Sequence, residues 1–390
     1  MAQARHRQSF DPRIVLLALG TFAIGTDVFV IAGILKQIAA DLSVSVEAAG
    51  QMVTAYALTY ALGSPVLAAV TAHWRRERLI VIALAGFACA DMVCALSPSF
   101  TVLILARIAA GSCAALYAPT AYTMAAALAA PEGRGVALAT VALGMTSATV
   151  FGVPLGTWIG TWFGWHATFV LGAALAASAA TALKLGRIPP VGAGAPLGLA
   201  ARFLPITRLQ VLLSLFANLA WSTGNYTIYT YSAVLFGERL GLDNIAWLLL
   251  GYGLGGLFGS QLGGRLVDRF GTTAPIIVCV AVNAANIGLI DLTGGTELGA
   301  GAALFVMGFV GWAVFPAQQS HMLRLAPEHG GVVLSLISST IYIGSALGAA
   351  LGGLLLAHGS RSLPPYVASA AIVLGLLSFL LGNRRRHRLD

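Results

Sequence analysis

The sequence predicts an all-α membrane protein with twelve transmembrane helices in two pseudo-symmetric six-helix bundles. Of its 390 residues, 58% are hydrophobic and 9% are charged, whereas a soluble domain has about 25% charged residues. The hydrophobic residues form long continuous runs, which are typical of helices because about 20 helical residues cross the hydrocarbon core of a bilayer. Motifs of the first half also recur in the second half, which indicates two bundles of the same topology.

Charged residues, or glycine and proline, interrupt the apolar runs and delimit the predicted helices. The twelve spans are 14–36, 48–71, 79–97, 101–125, 136–160, 167–184, 209–235, 244–267, 273–292, 298–322, 332–357 and 366–382. A spanning backbone must satisfy its own hydrogen bonds, which these helices do. A transmembrane barrel would instead show short strands of alternating polarity.

The distribution of lysine and arginine predicts the orientation of the chain. With a cytoplasmic N-terminus, only Lys36, Arg239 and Arg361 lie outside and Arg107 lies within a helix, while the other basic residues face the cytoplasm. This arrangement satisfies the positive-inside rule with both termini in the cytoplasm. The net charge of +8 is therefore a topology signal and does not indicate a nucleic-acid partner. The four cysteines lie in apolar segments without metal-binding spacing, so no metal site is predicted.

Internal repeats divide the chain into two halves. The segment Ala-Pro-Glu-Gly-Arg-Gly-Val-Ala-Leu from Ala130 recurs 196 residues later as Ala-Pro-Glu-His-Gly-Gly-Val-Val-Leu. Gly111 and Pro119 of helix 4 recur 197 residues later in helix 10. The longest break is rich in glycine and proline and separates the repeats. The predicted organisation is a bundle at 1–184, a cytoplasmic linker at 185–208 and a second bundle with a basic tail at 209–390. Parallel repeats of this kind place the substrate between the halves, near the bilayer midplane.

Three charged residues lie deep inside the predicted helices. A charge near the bilayer centre costs at least ~2.5–3.5 kcal/mol, so such residues usually mark an ion or proton path. Asp27 is the predicted proton site, and Asp91 in helix 3 is the second choice. Arg107 keeps its charge and therefore requires an anionic or carbonyl partner. It would tune a carboxylate, or alternatively form a structural ion pair, while the alternative for Asp27 is an inert hydrogen-bonded side chain near the interface.

Polar and aromatic side chains of helices 7 and 10 predict a ligand cavity. Asn218, Trp221, Asn225 and Tyr229 share one face of helix 7 because they are three or four residues apart. Amide, indole and phenol groups suit an amphipathic ligand. The predicted cavity also includes Tyr56, Tyr117, Trp312, Phe315 and Gln318. The alternative for each is an ordinary role in helix contacts or at the membrane interface.

Several motifs resemble those of the major facilitator superfamily, over essentially the whole chain. Gly264-Arg-Leu-Val-Asp268-Arg269-Phe-Gly271 after helix 8 is similar to the family signature G-x-L-x-D-R-x-G. The corresponding loop after helix 2 keeps the basic residues Arg75 and Arg76, but has His73 where the family has aspartate. This resemblance implies a gate in which Asp268 and Arg269 pair with neighbouring helices when the cytoplasmic side closes.

Phe163-Gly-Trp165-His166-Ala-Thr-Phe169 is similar to the F-G-W-R-x-x-F segment of the arabinose-efflux-permease-like branch, with His166 in place of arginine. Further motifs resemble the twelve-helix drug/proton antiporter group to which this branch belongs. Leu103-Ile-Leu-Ala-Arg107-Ile-Ala-Ala-Gly111 is similar to the intramembrane arginine motif of helix 4. In helix 5, the glycine- and proline-rich antiporter motif is matched by Gly144, Gly152, Pro154 and Gly156. These glycines allow close helix approach. A tight contact between helices 5 and 8 would seal one leak path.

We therefore predict a proton-coupled secondary transporter that exports small molecules, such as drugs or metabolites, by alternating access. Its expected partners are a small-molecule substrate, protons and membrane lipid, with no cofactor beyond the proton gradient, and we expect a monomer. The expected location is a bacterial-type inner membrane. The alternatives are a facilitator or importer of a small polar metabolite on the same fold, or a non-transport membrane protein such as a sensor or intramembrane enzyme. No motif for ATP-driven or hydrolytic chemistry is present, so an enzyme is not predicted.

Overall fold

The computed structural model describes residues 11–71, 73–130, 133–186, 188–189, 207–358 and 362–386. The described chain is helical and contains no strand. Each of the twelve predicted spans coincides with a helix, and these helices are numbered α1 to α12. Their bounds are Arg13–Asp41, Val46–Val70, Arg76–Ala95, Phe100–Leu128, Arg134–Phe163, Trp165–Leu185, Leu209–Thr230, Ala246–Phe270, Thr273–Gly288, Glu297–Leu325, Gly330–Ala357 and Leu363–Arg386. The linker predicted at 185–208 lies largely outside the described residues.

Local sequence explains where several helices begin. The hydroxyls of Ser45, Ser99 and Thr296 accept hydrogen bonds from backbone N–H groups of the first turns of α2, α4 and α10, because serine and threonine are favourable N-cap residues. Within α5, the turn Ala148–Gly152 is a π-helix that ends two residues before Pro154. Such widened turns accommodate a local interruption of the helical hydrogen bonds.

Nine helices of the described chain are long and apolar enough to cross a membrane. The other three of the twelve are α7, α8 and α9. Polar residues such as Asn218 and Asn225 lower the hydropathy of α7, and repeated glycines lower that of α8. After Gly288, α9 is interrupted and continues as the short helix Ile290–Thr293. These three predicted spans are therefore helical, but α7 and α8 are less apolar than the other helices and α9 is shorter.

Glycine in α8 permits an unusually close contact between α8 and α10. Four glycines, spaced four residues apart, are Gly251, Gly255, Gly259 and Gly263. A Cβ atom added to them would meet the backbone oxygens of Gly301, Phe305, Phe309 and Ala313, respectively. These α10 residues are also four residues apart. The two backbones therefore touch along most of their shared length, as in small-residue interfaces of membrane helices.

Arginines at helix ends distinguish the two ends of the bundle. The basic end is where α1 begins and α12 ends. It carries Arg76, Arg134, Arg208, Arg269, Arg324 and Arg384 at or near helix termini. At this end Arg208 donates hydrogen bonds to the Leu325 carbonyl and to Glu328, which ties the start of α7 to the turn after α10. The opposite end is called the far end.

The first half, α1 to α6, contacts the second half, α7 to α12, from the middle of the bundle to the far end. Thr54 on α2 donates to the Ala346 carbonyl on α11. Nearer the middle, the rings of Tyr60 and Tyr342 are stacked with centroids 3.6 Å apart. Beyond Tyr60 toward the basic end, the α2 side chain of Val66 is exposed.

Two further seams join the halves in the same region. Lys36 at the far end of α1 pairs with Glu238, at 3.5 Å. Asn244, just before α8, donates to Thr161 of α5 at 3.0 Å. Gly253 of α8 lies against the backbone of the α5 π-helical turn. All of these contacts lie between the middle and the far end, so the halves are closed there.

The α8–α10 contact predicts opposite effects for two glycine substitutions in α8. Alanine favours a helix by about 1 kcal/mol over glycine, and nothing lies within 4 Å of a Cβ on Gly264, so Gly264→Ala should keep or raise the melting temperature. Gly259→Ala should lower it, because overpacking against the Phe309 backbone costs about 1–3 kcal/mol. Thermal unfolding of the purified protein in detergent measures both. Equal melting temperatures for the two variants would contradict the contact.

Candidate functional site

A buried ion pair joins α1 and α4 inside the first half. One guanidinium nitrogen of Arg107, Nη1, donates to both carboxylate oxygens of Asp27 at 2.7 Å. Both side chains are 1% exposed. In such surroundings an unpaired charge is very costly, so each residue keeps the other in place. The pair thus supplies the anionic partner that Arg107 requires.

Aromatic rings enclose the guanidinium group. Its Cζ lies 4.5 Å from the ring centre of Tyr56 on α2 and 5.8 Å from that of Phe169 on α6. Cations are attracted to the faces of such rings, most strongly when water is excluded. Side chains of four helices therefore hold the Asp27–Arg107 pair in a dry, π-lined environment.

Asp91 on α3 is the second carboxylate of this cluster. It is fully buried beside Asp27 and Arg107. Neither of its carboxylate oxygens accepts a hydrogen bond from an N–H or hydroxyl donor of the described residues, but its carboxyl group lies within hydrogen-bonding reach of that of Asp27. A Cβ added to Gly172 of α6 would lie 2.6 Å from its Oδ2, so the glycine leaves room for the carboxyl group. The cluster of Asp27, Asp91 and Arg107 is thus neutral when one carboxyl group is protonated and carries a charge of −1 when neither is.

On the other side of α1, an aromatic cluster lies where the two halves contact each other, a region called the seam below. It is formed by Phe29, Tyr226, Tyr229 and Tyr252. The Tyr229 ring lies 5.6 Å from that of Phe29 and 4.7 Å from that of Tyr252, and the Tyr229 hydroxyl donates to the Phe29 carbonyl at 3.0 Å. Asp27 and Phe29 are two residues apart, so they project from different faces of α1. One helix therefore contacts both the charged cluster and the seam.

The structure distributes the predicted cavity residues among four environments, namely the charged cluster, the core of the first half, the aromatic cluster and the interior of the second half. Tyr56 contacts Arg107, whereas Tyr117 donates to the Leu17 carbonyl within the core of the first half. Tyr229 belongs to the aromatic cluster, and Trp312 packs on Gly256 of α8. The remaining predicted cavity residues lie inside the second half, and they are Asn218, Trp221, Asn225, Phe315 and Gln318.

Sequence reasoning missed several residues of the seam and its surroundings. Tyr60, Tyr252 and Tyr342 line the seam, and Asn283 on α9 donates to Asn225 at 3.1 Å. The asparagine at position 283 in the apolar span of α9 is a usable signal, because a buried amide requires a partner. The tyrosines gave no such signal, since phenol groups are equally frequent in membrane-interface positions.

The glycines of the antiporter motif pack α5 against α1. A Cβ on Gly152 would overlap the Thr26 hydroxyl, and one on Gly156 would lie 2.8 Å from Val30. A Cβ on Gly144 would likewise overlap the Ala18 carbonyl oxygen. Contact with α8 is instead made by the π-helical turn, which Gly253 approaches. The motif therefore positions the helix that carries Asp27, and the turn before Pro154 faces the second half.

The gating motif residues lie at the basic end, away from the contacts between the halves described above. Arg75 bonds to Glu77 within its own loop, and Arg269 lies over the neighbouring Phe270 ring. Within the described ranges, no hydrogen bond or ion pair is seen between Asp268 and the first half. The other motif positions, Arg76, Gly264 and Gly271, are at the same end.

The three-residue cluster predicts a non-additive effect on stability. In Asp27→Asn, Asp91 can ionise and pair with Arg107, and in Asp91→Asn the original pair remains, so each single variant should fold. The double variant leaves Arg107 buried without a counter-charge and should lose about 3–5 kcal/mol more than the sum of the single variants. Adding Arg107→Gln should restore most of this loss. Thermal and denaturant unfolding measure these differences, and additive losses would rule out the shared pairing.

A family model for the Major Facilitator Superfamily matches residues 17–349. The uncharacterized MFS-type transporter YbcL of Bacillus subtilis is 31% identical over 372 residues, which cover 95% of each chain. A chloramphenicol efflux pump of Mycobacterium tuberculosis is 31% identical over 386 residues, covering 95% of this chain and 92% of the pump.

The fold also resembles solved structures of transporters. A bacterial homolog of the human lysosomal transporter Spinster, crystallised in an inward-facing and occupied conformation, has a TM-score of 0.75 at 19% identity, over 96% of this chain and 98% of that one. The long apolar helices and the buried ion pair fit a membrane transporter rather than an enzyme. The chain belongs to the major facilitator superfamily.

Proposed function

We propose that this protein is a proton-coupled antiporter that exports small, neutral aromatic molecules by alternating access. The observation that carries the proposal is the buried cluster of Asp27, Asp91 and Arg107. Two carboxyl groups share one permanent cation there, so the cluster can hold or release a proton while it remains folded. Intramembrane carboxylates of this kind commonly belong to proton relays.

In this arrangement Asp91 is the group that holds the proton. Asp27 is engaged by Arg107 through both oxygens, whereas Asp91 accepts no hydrogen bond. A dry carboxylate beside a second carboxylate is far less stable than the neutral acid, which can donate a hydrogen bond to Asp27. Release of the proton requires water or a closer approach of Arg107. Movement of α1 could provide either, because α1 carries Asp27 and also contacts the second half.

The seam between the halves favours a neutral aromatic substrate. Its described surface is formed by tyrosine rings of α2, α7, α8 and α11, and the charges nearest to it are neutralised within the Asp27–Arg107 pair. Such a surface offers π contact and few obligatory polar partners. Chloramphenicol, which the Mycobacterium tuberculosis relative is named for exporting, is a neutral aromatic compound and suits it.

The basic end is cytoplasmic in this proposal, following the positive-inside rule. The state in the structure then takes substrate from the cytoplasm, since its halves are closed at the far end. Closure of the basic end would bring Asp268 and Arg269 toward Arg75 and Arg76. Proton entry from outside would then drive the protein back to the state that is open to the cytoplasm. The transporter works as a monomer in membrane lipid, with the proton gradient as its energy source.

Transport assays in liposomes test the coupling. Protein reconstituted with an imposed pH gradient should drive chloramphenicol movement against its concentration gradient. Asp91→Asn should abolish this uphill transport but keep downhill exchange, because the substituted amide cannot carry the proton. Asp243→Asn removes an exposed carboxylate outside the spans and serves as the matched control, with transport unchanged.

Two outcomes would contradict the proposal. If Asp91→Asn and Asp27→Asn both retain gradient-driven transport, neither carboxyl group couples protons. If the wild-type protein moves sugars, nucleosides or amino-acid derivatives downhill without any movement of protons, it is a facilitator. Screening these classes beside chloramphenicol in the same vesicles separates the two cases.

A further inference from the structure

A second polar region lies inside the second half, away from the charged cluster and from the seam. It is a small cavity, with room for about one water molecule, between α7, α9, α10, α11 and α12. Its wall is mainly apolar, with Ile276, Val280, Met322 and Phe379 among the lining residues. Asn218, Gln318 and His321 line the same space, and a water-sized molecule fits in it.

The polar groups of this cavity are buried and incompletely bonded. Asn218 is 2% exposed and Gln318 is 9% exposed. Asn218 Nδ2 donates to Thr340 Oγ1 at 2.7 Å, but its Oδ1 and the Oε1 of Gln318 accept no hydrogen bond. A buried acceptor left unsatisfied costs about 1–3 kcal/mol. Two such acceptors in one cavity call for a ligand that donates hydrogen bonds.

The fold itself does not require polar residues at this position. Gly111 and Pro119 of α4 correspond to residues 197 positions later in α10. By the same offset, Gln318 and His321 correspond to Ala121 and Met124, which are fully buried in the apolar core of the first half. At these two α10 positions the first half therefore has apolar side chains, while Asn218 corresponds to Thr21, whose hydroxyl already donates to the Val141 carbonyl. The polar cavity is a specific feature of the second half.

We propose that this cavity is a hydrated proton-binding site, in which His321 takes up the proton. Histidine changes its charge between about pH 5 and 8. The free lone pairs on Asn218 Oδ1 and Gln318 Oε1 would accept hydrogen bonds from the imidazolium or from water bound to it. The Phe379 ring, whose centroid is 5.0 Å from that of His321, adds a π surface for the cation.

Among the described residues that line the cavity, His321 is the one with a titratable side chain. The lining residues of the described chain include no lysine, arginine, aspartate or glutamate. Arg324 on α10 is exposed beyond the cavity, and Arg208 and Arg384 lie at the basic ends of α7 and α12. Cys279 on α9 and Tyr342 on α11 are absent from the lining.

Hydrogen–deuterium exchange at the imidazole C2 position tests this site directly. The rate for each histidine is measured by mass spectrometry as a function of pH, on the full chain in detergent and without substrate. The His321 rate should follow a sigmoidal curve with a midpoint between about pH 5 and 8. Absence of exchange, or a rate without a midpoint, would show a dry or non-titrating histidine and overturn the proposal.

Substitution of the acceptors sharpens the test. Asn218→Leu with Gln318→Leu should move the His321 midpoint to lower pH by about one unit, because hydrogen bonds to the charged ring are lost. Gln319→Leu, on the same helix but outside the cavity lining, should leave the midpoint unchanged.

If the double variant fails to fold, Gln318→Glu should move the midpoint to higher pH by adding a negative charge. An unmoved midpoint in the folded acceptor variants would contradict the proposal. The measurement needs no transport, so it stands independently of the proposed antiport.

Discussion

The buried pair of Asp27 and Arg107 is the constraint on which the first half depends. A guanidinium group cannot lose its charge in practice, so a dry site that contains one must also contain an anion. Asp27 satisfies this need through two hydrogen bonds, and rings from two further helices exclude water. Asp91 then has no cation of its own. The same arrangement that stabilises the arginine therefore leaves one carboxyl group available for a proton.

Helix α1 links this electrostatic balance to the shape of the bundle. One of its faces presents Asp27 to α4, and another presents Phe29 to the tyrosines of the second half. The glycines of α5 bring a third element against α1 without intervening side chains. A shift of α1 large enough to open the far end must therefore disturb both the Tyr229 contact and the surroundings of Asp27. In the proposed mechanism, this one helix couples proton occupancy of the cluster to access from either side.

Sequence reasoning predicted the helices well, because a bilayer demands continuous apolar runs and few other structures satisfy their backbone. It also singled out Asp27 and Arg107, since the cost of a buried charge does not depend on tertiary structure. Their direct pairing, and the position of Asp91 beside Asp27 without an N–H or hydroxyl donor, depend on side-chain geometry that spacing does not encode. Tyr117 and Tyr229 look alike in sequence, yet one stabilises a core and the other spans the seam. Packing alone separates them.

The backbone contact between α8 and α10 also limits how such a transporter can evolve. Every single-base change of a glycine codon that yields another amino acid introduces a Cβ atom. At Gly251, Gly255, Gly259 and Gly263 that atom would meet the α10 backbone. No amino-acid substitution at these positions therefore leaves the contact between the two backbones undisturbed. Changes in substrate range are expected to come from substitutions of side chains that face the seam, whereas these glycines are expected to remain unchanged.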